Sequence, residues 1–106
     1  MSVQNLSATE VAQLLQQDAI LLVDVREAHE YAVERISGAA HCPLSRFDPR
    51  SLPKAGKRAI VFSCASGVRS ARAAAICLAA GLAHDRHLKG GIQAWKASGL
   101  PVERSR

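Results

Sequence analysis

Residues 60–70 read IVFSCASGVRS, which joins an apolar run to a cysteine, a loop of small residues, an arginine and the start of an alanine-rich segment. Ala59 to Phe62 have the composition of a short buried strand, and Ser70 to Leu82 predict a helix that Gly81 ends. Cys64 therefore lies in the turn between a strand and a helix. Because the following segment is apolar on almost every side, we expect it to be the central buried helix.

The turn after Cys64 has the chemistry of an anion site. The N–H groups of residues 65–69 have no earlier helical turn to bond to, so they are free to converge on the sulfur, and the helix dipole adds partial positive charge. In comparable settings, with a guanidinium such as that of Arg69 nearby, thiol pKa values fall from about 8.5 to roughly 3.5 to 7.5. The pattern predicts a nucleophilic Cys64, the alternative being a small buried apolar residue.

Length and composition indicate one small globular domain, since the chain has 106 residues and is 48% hydrophobic. The first residues, MSVQNLSATEV, contain neither a basic start nor an apolar run, so we expect no signal peptide and no membrane segment. Cys42, Cys64 and Cys77 form no C-x-x-C pair, which favours a reducing compartment over a disulfide framework. These features predict a cytoplasmic protein in which Cys42 and Cys77 are structural.

The net charge of +5 comes from basic residues that are scattered along the chain. No basic run with interleaved aromatic residues is present, so we do not expect nucleic-acid binding. A modest positive charge favours small anions instead, because it raises their concentration near the protein.

Strands and helices alternate along the sequence. The capping-box pattern Ser7–Glu10 begins a helix that is expected to run from Ala8 to Gln16, and Ile20–Val25 is a continuous apolar strand. Further strands are expected at 38–44, 58–63 and 84–88, with helices at 27–33, within 45–52 and at 92–97. This alternation predicts an α/β domain with a small, mostly parallel central sheet and helices on both faces. In such sheets ligands gather beyond the carboxyl ends of the strands, where Cys64 lies.

Four motifs together resemble the rhodanese-like sulfurtransferases. The loop CASGVR, residues 64–69, is similar to the family's six-residue active-site loop, and Ser70 continues the match. LVDVRE at 22–27 is similar to a strand ending in Asp-x-Arg, RISGA at 35–39 with Pro43-Leu44 to the "H-I-x-G-A … P-L" segment, and LKGGIQAW at 88–95 to the "G-G … A-W" signature. The resemblance implies a rhodanese-like fold in one domain, residues 1–106, with a core of about 6–102.

The resemblance also implies a sulfurtransferase. Cys64 would take a sulfane sulfur from thiosulfate or a related small anionic donor, carry it as a persulfide and give it to a thiophilic acceptor. The acceptor would be cyanide, a small thiol or a protein thiol, for example of a thioredoxin-like or sulfur-relay protein. Neither a metal nor an organic cofactor is implied, and the strand spacing of His84 and His87 sends their side chains to opposite faces.

The remaining site residues surround Cys64 or support its loop. Arg69 either binds the anionic donor or caps the loop through an ion pair, and Asp24 and Arg26 must be paired because they end a buried strand. The resemblance implies that this pair braces the active-site end of the fold. The residues expected to bind the substrate form the loop itself: Ala65, Ser66, Gly67, Val68, Arg69 and Ser70.

Two other functions remain open. A cysteine-dependent phosphatase shares the thiolate, the backbone amides and the arginine, but phosphatases of this fold have one more residue in the loop than the four between Cys64 and Arg69. A non-enzymatic sulfur carrier or partner-binding module is the third hypothesis. Ala65 departs from the basic residue that thiosulfate-using members often have there, so a mercapto acid or a protein persulfide is an alternative donor.

Overall fold

The structure is a computed structural model that describes residues 2–105. Along that part of the chain, strands and helices follow one another in a regular order, with two short 3-10 turns at Leu44–Arg46 and Pro49–Ser51. The elements are β1 (Gln4–Leu6), α1 (Ala8–Gln16), β2 (Ile20–Asp24), α2 (Ala28–Val33), β3 (Glu34–Arg35), β4 (Ala40–His41), β5 (Ala59–Ser63), α3 (Val68–Ala79), β6 (Arg86–Leu88), α4 (Gly91–Ala97) and β7 (Glu103–Arg104).

The central sheet has five strands in the order β1-β6-β5-β2-β4, and its neighbouring strands all run parallel. The predicted α/β class with a parallel central sheet is therefore confirmed. β5 lies in the middle, between β6 and β2, with Leu22 opposite Val61 and Asp24 opposite Ser63. The turn that carries Cys64 thus leaves the carboxyl end of the central strand.

Two apolar cores cover the two faces of this sheet, as predicted. Because side chains alternate along a strand, Leu22 and Val61 face the core shared with Trp95 of α4, whereas Val23 and Phe62 face the core formed with α3. All of these side chains are at most 5% exposed. Burial on both faces explains why β2 and β5 read as continuous apolar runs.

Helix α3 differs from its prediction in length. It begins at Val68, earlier than the predicted Ser70, and ends at Ala79. The sequence predicts the central buried helix, and the structure buries one face of it against the sheet, with Ser70, Ala73, Ala74 and Cys77 at helical spacing. The residues between these positions are half-buried or exposed, so the alanines of α3 do not by themselves indicate which face is buried.

Helix α1 confirms its prediction in both bounds and cap. The Ser7 hydroxyl accepts a hydrogen bond from the Glu10 N–H at 3.1 Å, and the Ser7 N–H donates to the Glu10 carboxylate at 3.0 Å. The sequence missed β1, which pairs with β6, and the antiparallel pair of β3 with β7. Of the helices between residues 2 and 105, none combines the length and the apolar character that a membrane span requires.

Candidate active site

The sulfur of Cys64 lies directly after β5, inside a ring of hydrogen-bond donors. The N–H groups of Gly67 and Ser70 point at it from 3.0 and 3.4 Å, and its thiol donates to the Ser70 hydroxyl at 3.5 Å. Cys64 is 1% exposed. The predicted convergence of loop amides on the sulfur is thus present, and Ser70 adds both its amide and its hydroxyl to it.

The pKa of the Cys64 thiol reflects two opposed effects. Burial disfavours the thiolate, but hydrogen bonds from the Ser70 side chain and from the amides of Ser70, Gly67 and Ser66 outweigh it and hold the pKa of Cys64 below its usual value. At Cys77, within α3, burial acts alone and raises the thiol pKa to about 11. The thiolate is therefore favoured at one of these two cysteines and disfavoured at the other.

The first turn of α4 holds the beginning of the loop. The Ile92 N–H donates to the Cys64 carbonyl at 2.8 Å, and the Gln93 N–H donates to the Ala65 carbonyl at 3.1 Å. Because C=O and N–H point in opposite directions across a trans peptide, binding the Ala65 carbonyl to α4 turns the Ser66 N–H towards the sulfur. Helix α4 thereby sets the direction of the loop amides.

Two glycines allow the Cys64 loop and the start of α4 to lie close together. Gly67 has a φ of +100°, and a Cβ there would lie 3.0 Å from the backbone nitrogen of Gly90. At Gly91, with φ at +60°, a Cβ would lie 2.3 Å from the Cys64 carbonyl oxygen, closer than real Cβ atoms come. Only glycine fits the loop and the start of α4 at these positions.

Arg69 forms an ion pair with Glu30 of α2. Its guanidinium nitrogens lie 2.7 and 2.9 Å from the two carboxylate oxygens, in the bidentate geometry that arginine favours. This hydrogen bonding lowers the pKa of Glu30 to about 2, and the Glu30 carboxylate together with Cys64 raises that of Arg69. The sequence leaves two roles open for Arg69, binding of an anionic donor and an ion pair. The structure contains the ion pair, which is formed with Glu30.

Asp24 and Arg26 are buried and paired with each other, as the sequence required. The Arg26 guanidinium donates to Asp24 Oδ2 at 2.8 Å and to the Glu34 carbonyl at 2.7 Å, and each residue is at most 4% exposed. The Arg26 N–H also donates to Asp24 Oδ1 at 2.9 Å. Because Asp24 lies opposite Ser63 in the sheet, the pair is located at the end of β2, next to the Cys64 turn.

The other predicted loop residues lie around the rim of the turn. Ser66 and Val68 are exposed, Val68 to 76%, and Ala65 is half-buried. Beside Arg69 a cleft of about 360 Å³ is lined by polar and charged residues and by an apolar wall: Arg69, Arg72, Glu27 and Ser45 on the one hand, Leu44, Phe47 and Ile76 on the other. The cleft therefore combines two guanidinium groups and one carboxylate with apolar side chains.

Sequence reasoning missed Glu30 and His87. His87 of β6 is 5% exposed and lies with Nδ1 2.8 Å from the Ser70 hydroxyl and with Nε2 2.7 Å from the Asn5 side-chain oxygen. His87 lies opposite Phe62 in the sheet and therefore faces α3 as Phe62 does. The sequence alone does not give this pairing of β6 with β5, so it could not indicate that His87 faces the site. In residues 2–105 no group of three or more His, Cys, Asp or Glu side chains is arranged to hold a metal ion.

Residues 7–98 match the rhodanese-like domain family, so the chain belongs to that family. The Synechocystis protein slr1261 is 45% identical over 89% of this chain, and the chain spans 52% of that protein. A sulfurtransferase of Allochromatium vinosum is 34% identical over 85% of this chain and 84% of its own length. The "Probable adenylyltransferase/sulfurtransferase MoeZ" of Mycobacterium tuberculosis is 40% identical over 72% of this chain and 20% of its own length.

Solved structures agree with the fold. A rhodanese-like domain from Anabaena superposes with a TM-score of 0.81 at 32% identity, covering 99% of this chain and 81% of that one. A Rhodopseudomonas palustris protein, described as a possible tyrosine phosphatase, superposes with a TM-score of 0.79 at 30% identity over 95% of this chain and 85% of that one. The family and its sulfurtransferase-named relatives support a sulfurtransferase-type enzyme.

Proposed function

We propose that the chain transfers a sulfane sulfur from thiosulfate, or a related donor, to a thiophilic acceptor through a persulfide on Cys64. The Cys64 thiolate attacks the terminal sulfur of thiosulfate, the S–S bond of the donor breaks, and sulfite leaves with the bonding electron pair. The acceptor then attacks the outer sulfur of the persulfide and releases the thiolate. With cyanide as acceptor the product is thiocyanate.

One observation carries this proposal: the Cys64 pKa is lowered by amides and a hydroxyl aimed at its sulfur, while Cys77 in the same protein has its pKa raised. The thiolate, and not the thiol, is the state that attacks sulfur. The donors that surround Sγ also suit the terminal sulfur of a persulfide, which carries negative charge after the first step.

The donor and the acceptor follow from access and charge. Because Cys64 is 1% exposed, a donor with a slim terminal sulfur suits the approach better than a bulky one. We base the choice of an anion such as thiosulfate on the guanidinium groups of Arg69 and Arg72, which line the cleft beside the carboxylate of Glu27, a mercapto acid being the alternative. We propose that Arg69 contacts the donor in addition to Glu30, and that Ala65, Ser66, Gly67, Val68 and Ser70 form the rest of the binding loop.

A protein acceptor is also part of the proposal. MoeZ contains a region similar to this chain within a longer protein named for sulfur transfer, which supports a thioredoxin-like or sulfur-relay protein as the natural acceptor. All three cysteines are free thiols, which supports a cytoplasmic site of action. We assign the activity to one domain with its core at about residues 6–102.

The second candidate function is that of a phosphatase, because the similar Rhodopseudomonas palustris structure is described as a possible tyrosine phosphatase. The loop speaks against it, because its four residues between Cys64 and Arg69 are one fewer than in phosphatases of this fold. Hydrolysis of p-nitrophenyl phosphate separates the two functions, since a sulfurtransferase leaves that ester intact.

Steady-state rates of thiocyanate formation test the proposal, with Cys77→Ala as the matched control for Cys64→Ser. We expect Cys64→Ser to lose turnover, since a hydroxyl carries no persulfide, and Cys77→Ala to keep it with a small loss of stability from the cavity. Turnover by Cys64→Ser would refute the assigned nucleophile. A Cys64 persulfide that forms without any turnover would indicate the sulfur-carrier function instead.

A further inference from the structure

A chain of three hydrogen bonds leads from Cys64 to the edge of the sheet. The Cys64 thiol contacts the Ser70 hydroxyl at 3.5 Å, that hydroxyl contacts Nδ1 of His87 at 2.8 Å, and Nε2 of His87 contacts the Asn5 side-chain oxygen at 2.7 Å. Ser70 is 0% and His87 5% exposed. The turn after β5 and three elements, α3, β6 and β1, thus place four polar side chains in one row, of which the sulfur-transfer steps use only the first two.

The acceptors and donors in this row fix where its protons are. The oxygen of Asn5 only accepts, so Nε2 of His87 carries the hydrogen and Nδ1 of the neutral ring is an acceptor. The single proton of the Ser70 hydroxyl is then donated to Nδ1 at 2.8 Å rather than to the more distant Gly67 carbonyl at 3.2 Å. The oxygen of Ser70 is left to accept from the thiol, so each of the three hydrogen bonds is donated in the direction that leads from Cys64 to Asn5.

We propose that His87 is a positioning residue that takes up the proton of Cys64 through Ser70. The S–H bond of Cys64 breaks as an O–H bond forms on Ser70, and the original O–H bond of Ser70 breaks as an N–H bond forms at Nδ1 of His87. The products are a thiolate and an imidazolium, and the total number of protons in the protein is unchanged. The new Ser70 hydroxyl proton then points at the thiolate and stabilises it.

Proton loss from Cys64 and proton gain by His87 are coupled through the charges that surround the two residues. Burial lowers the pKa of His87, so the imidazolium is disfavoured by itself and forms together with the thiolate that faces it through Ser70. Arg69 on α3 carries a charge that acts on Cys64, and it is paired with Glu30. Asn5 on β1 and Phe62 on β5, the neighbours of His87 in the sheet, carry no charge. The inference deepens the proposed function by naming how its nucleophile loses a proton.

Alkylation of Cys64 by iodoacetamide tests the inference without any sulfur donor. With Cys42 and Cys77 replaced by alanine, the rate and the ultraviolet absorbance of the thiolate both report the titration of Cys64. In His87→Asn the amide still accepts from Ser70 but binds no proton. We expect the pH midpoint to rise by about 1 pH unit and the alkylation rate at neutral pH to fall about tenfold, with recovery at high pH.

Two replacements of Asn5 should shift the pH midpoint of Cys64 in opposite directions. Asn5→Asp places a carboxylate beside Nε2, which favours the imidazolium, so the midpoint should fall and the rate at neutral pH should rise. Asn5→Leu removes the partner of Nε2 and should have the reverse effect. A purely structural role for Asn5 and His87 predicts no such change of sign, and the Asn5 variants decide the matter even where His87→Asn does not fold.

Nitrogen NMR of the His87 ring supplies the second readout. We expect His87 to be the neutral Nε2–H tautomer in Cys64→Ser at neutral pH. In the wild type we expect it to be an imidazolium through the pH range in which the thiolate forms, and to lose that proton only at higher pH. A ring that stays neutral throughout that range, or a Cys64 midpoint unmoved by Asn5→Asp, would overturn the inference. If the midpoints shift as expected but no thiocyanate is formed, the proton path stands and the proposed reaction is wrong.

Discussion

Replacing Gly91 by alanine tests whether helix α4 holds the loop around Cys64. The added Cβ would lie 2.3 Å from the Cys64 carbonyl oxygen and 2.7 Å from both the carbonyl carbon and the oxygen of Ala65. All three are backbone atoms, so relief requires the loop and the helix to separate. That movement lengthens the 2.8 Å hydrogen bond from Ile92 to Cys64 and turns the loop amides away from the sulfur.

Two energetic costs add at this position. A side chain at the positive φ of +60° costs about 1 to 2 kcal/mol, and overpacking against backbone costs about a further 1 to 3 kcal/mol. Gly91→Ala should therefore lower the free energy of unfolding by about 2 to 5 kcal/mol and the Tm by roughly 8 °C or more. Because a shift of about 1 Å in a catalytic group costs up to about a hundredfold in rate, we expect kcat to fall at least about tenfold.

Gly56→Ala is the matched control. Gly56 has a similar φ of +65°, but no atom lies within 4 Å of an added Cβ, so this variant carries the first cost alone. Thermal unfolding followed by circular dichroism measures stability, and thiocyanate formation measures activity. If Gly91→Ala equals Gly56→Ala in both Tm and rate, helix α4 does not hold the loop and the reasoning is refuted.

Three further predictions concern the charged pairs. Arg69→Ala should lose about one to two decades of rate with thiosulfate, the effect of a lost contact of roughly 1.5 to 3 kcal/mol, while Arg69→Lys keeps part of the rate. Equal losses of rate with a charged and a neutral donor in steady-state kinetics would refute donor binding by Arg69 and leave the ion pair with Glu30 as its role. Because the pKa of Glu30 is lowered from 4.5 to about 2, its ion pair stabilises the fold fully above pH 4.5, and this stabilisation is lost as the pH falls towards 2. Acid unfolding should show this loss in the wild type and not in Glu30→Gln, and parallel curves would contradict it. Arg26→Ala strands the buried charge of Asp24 and should lower the free energy of unfolding in urea by about 3 to 5 kcal/mol, whereas a loss below about 1 kcal/mol would mean that the pair is dispensable.

Much of the fold was predictable because its central elements carry strong local patterns. Continuous apolar runs predict β2 and β5, and a capping box predicts the exact start of α1. The strand β1 has three residues and no apolar alternation, and its partner β6 lies at the other end of the chain, with Gln4 opposite Arg86. Such short strands exist through pairing with distant residues, which no local pattern records.

The candidate site divides in the same way. Cys64, Gly67 and Ser70 belong to one loop, so their convergence follows from the strand-turn-helix pattern. Glu30 and His87 reach the site across 39 and 17 residues of sequence, from Arg69 and Ser70 respectively. Their roles depend on where α2 packs and on the register of β6, and both are set by tertiary contacts.

Mass spectrometry of the protein after incubation with thiosulfate tests the central claim most directly. A thiolate in this loop should gain about one sulfur atom, located on the Cys64 peptide and removed by cyanide or dithiothreitol. Cys64→Ser should gain none, and Cys77→Ala should gain as much as the wild type. No adduct with thiosulfate or any other sulfane donor, or an adduct on Cys42 or Cys77 in place of Cys64, would contradict the account.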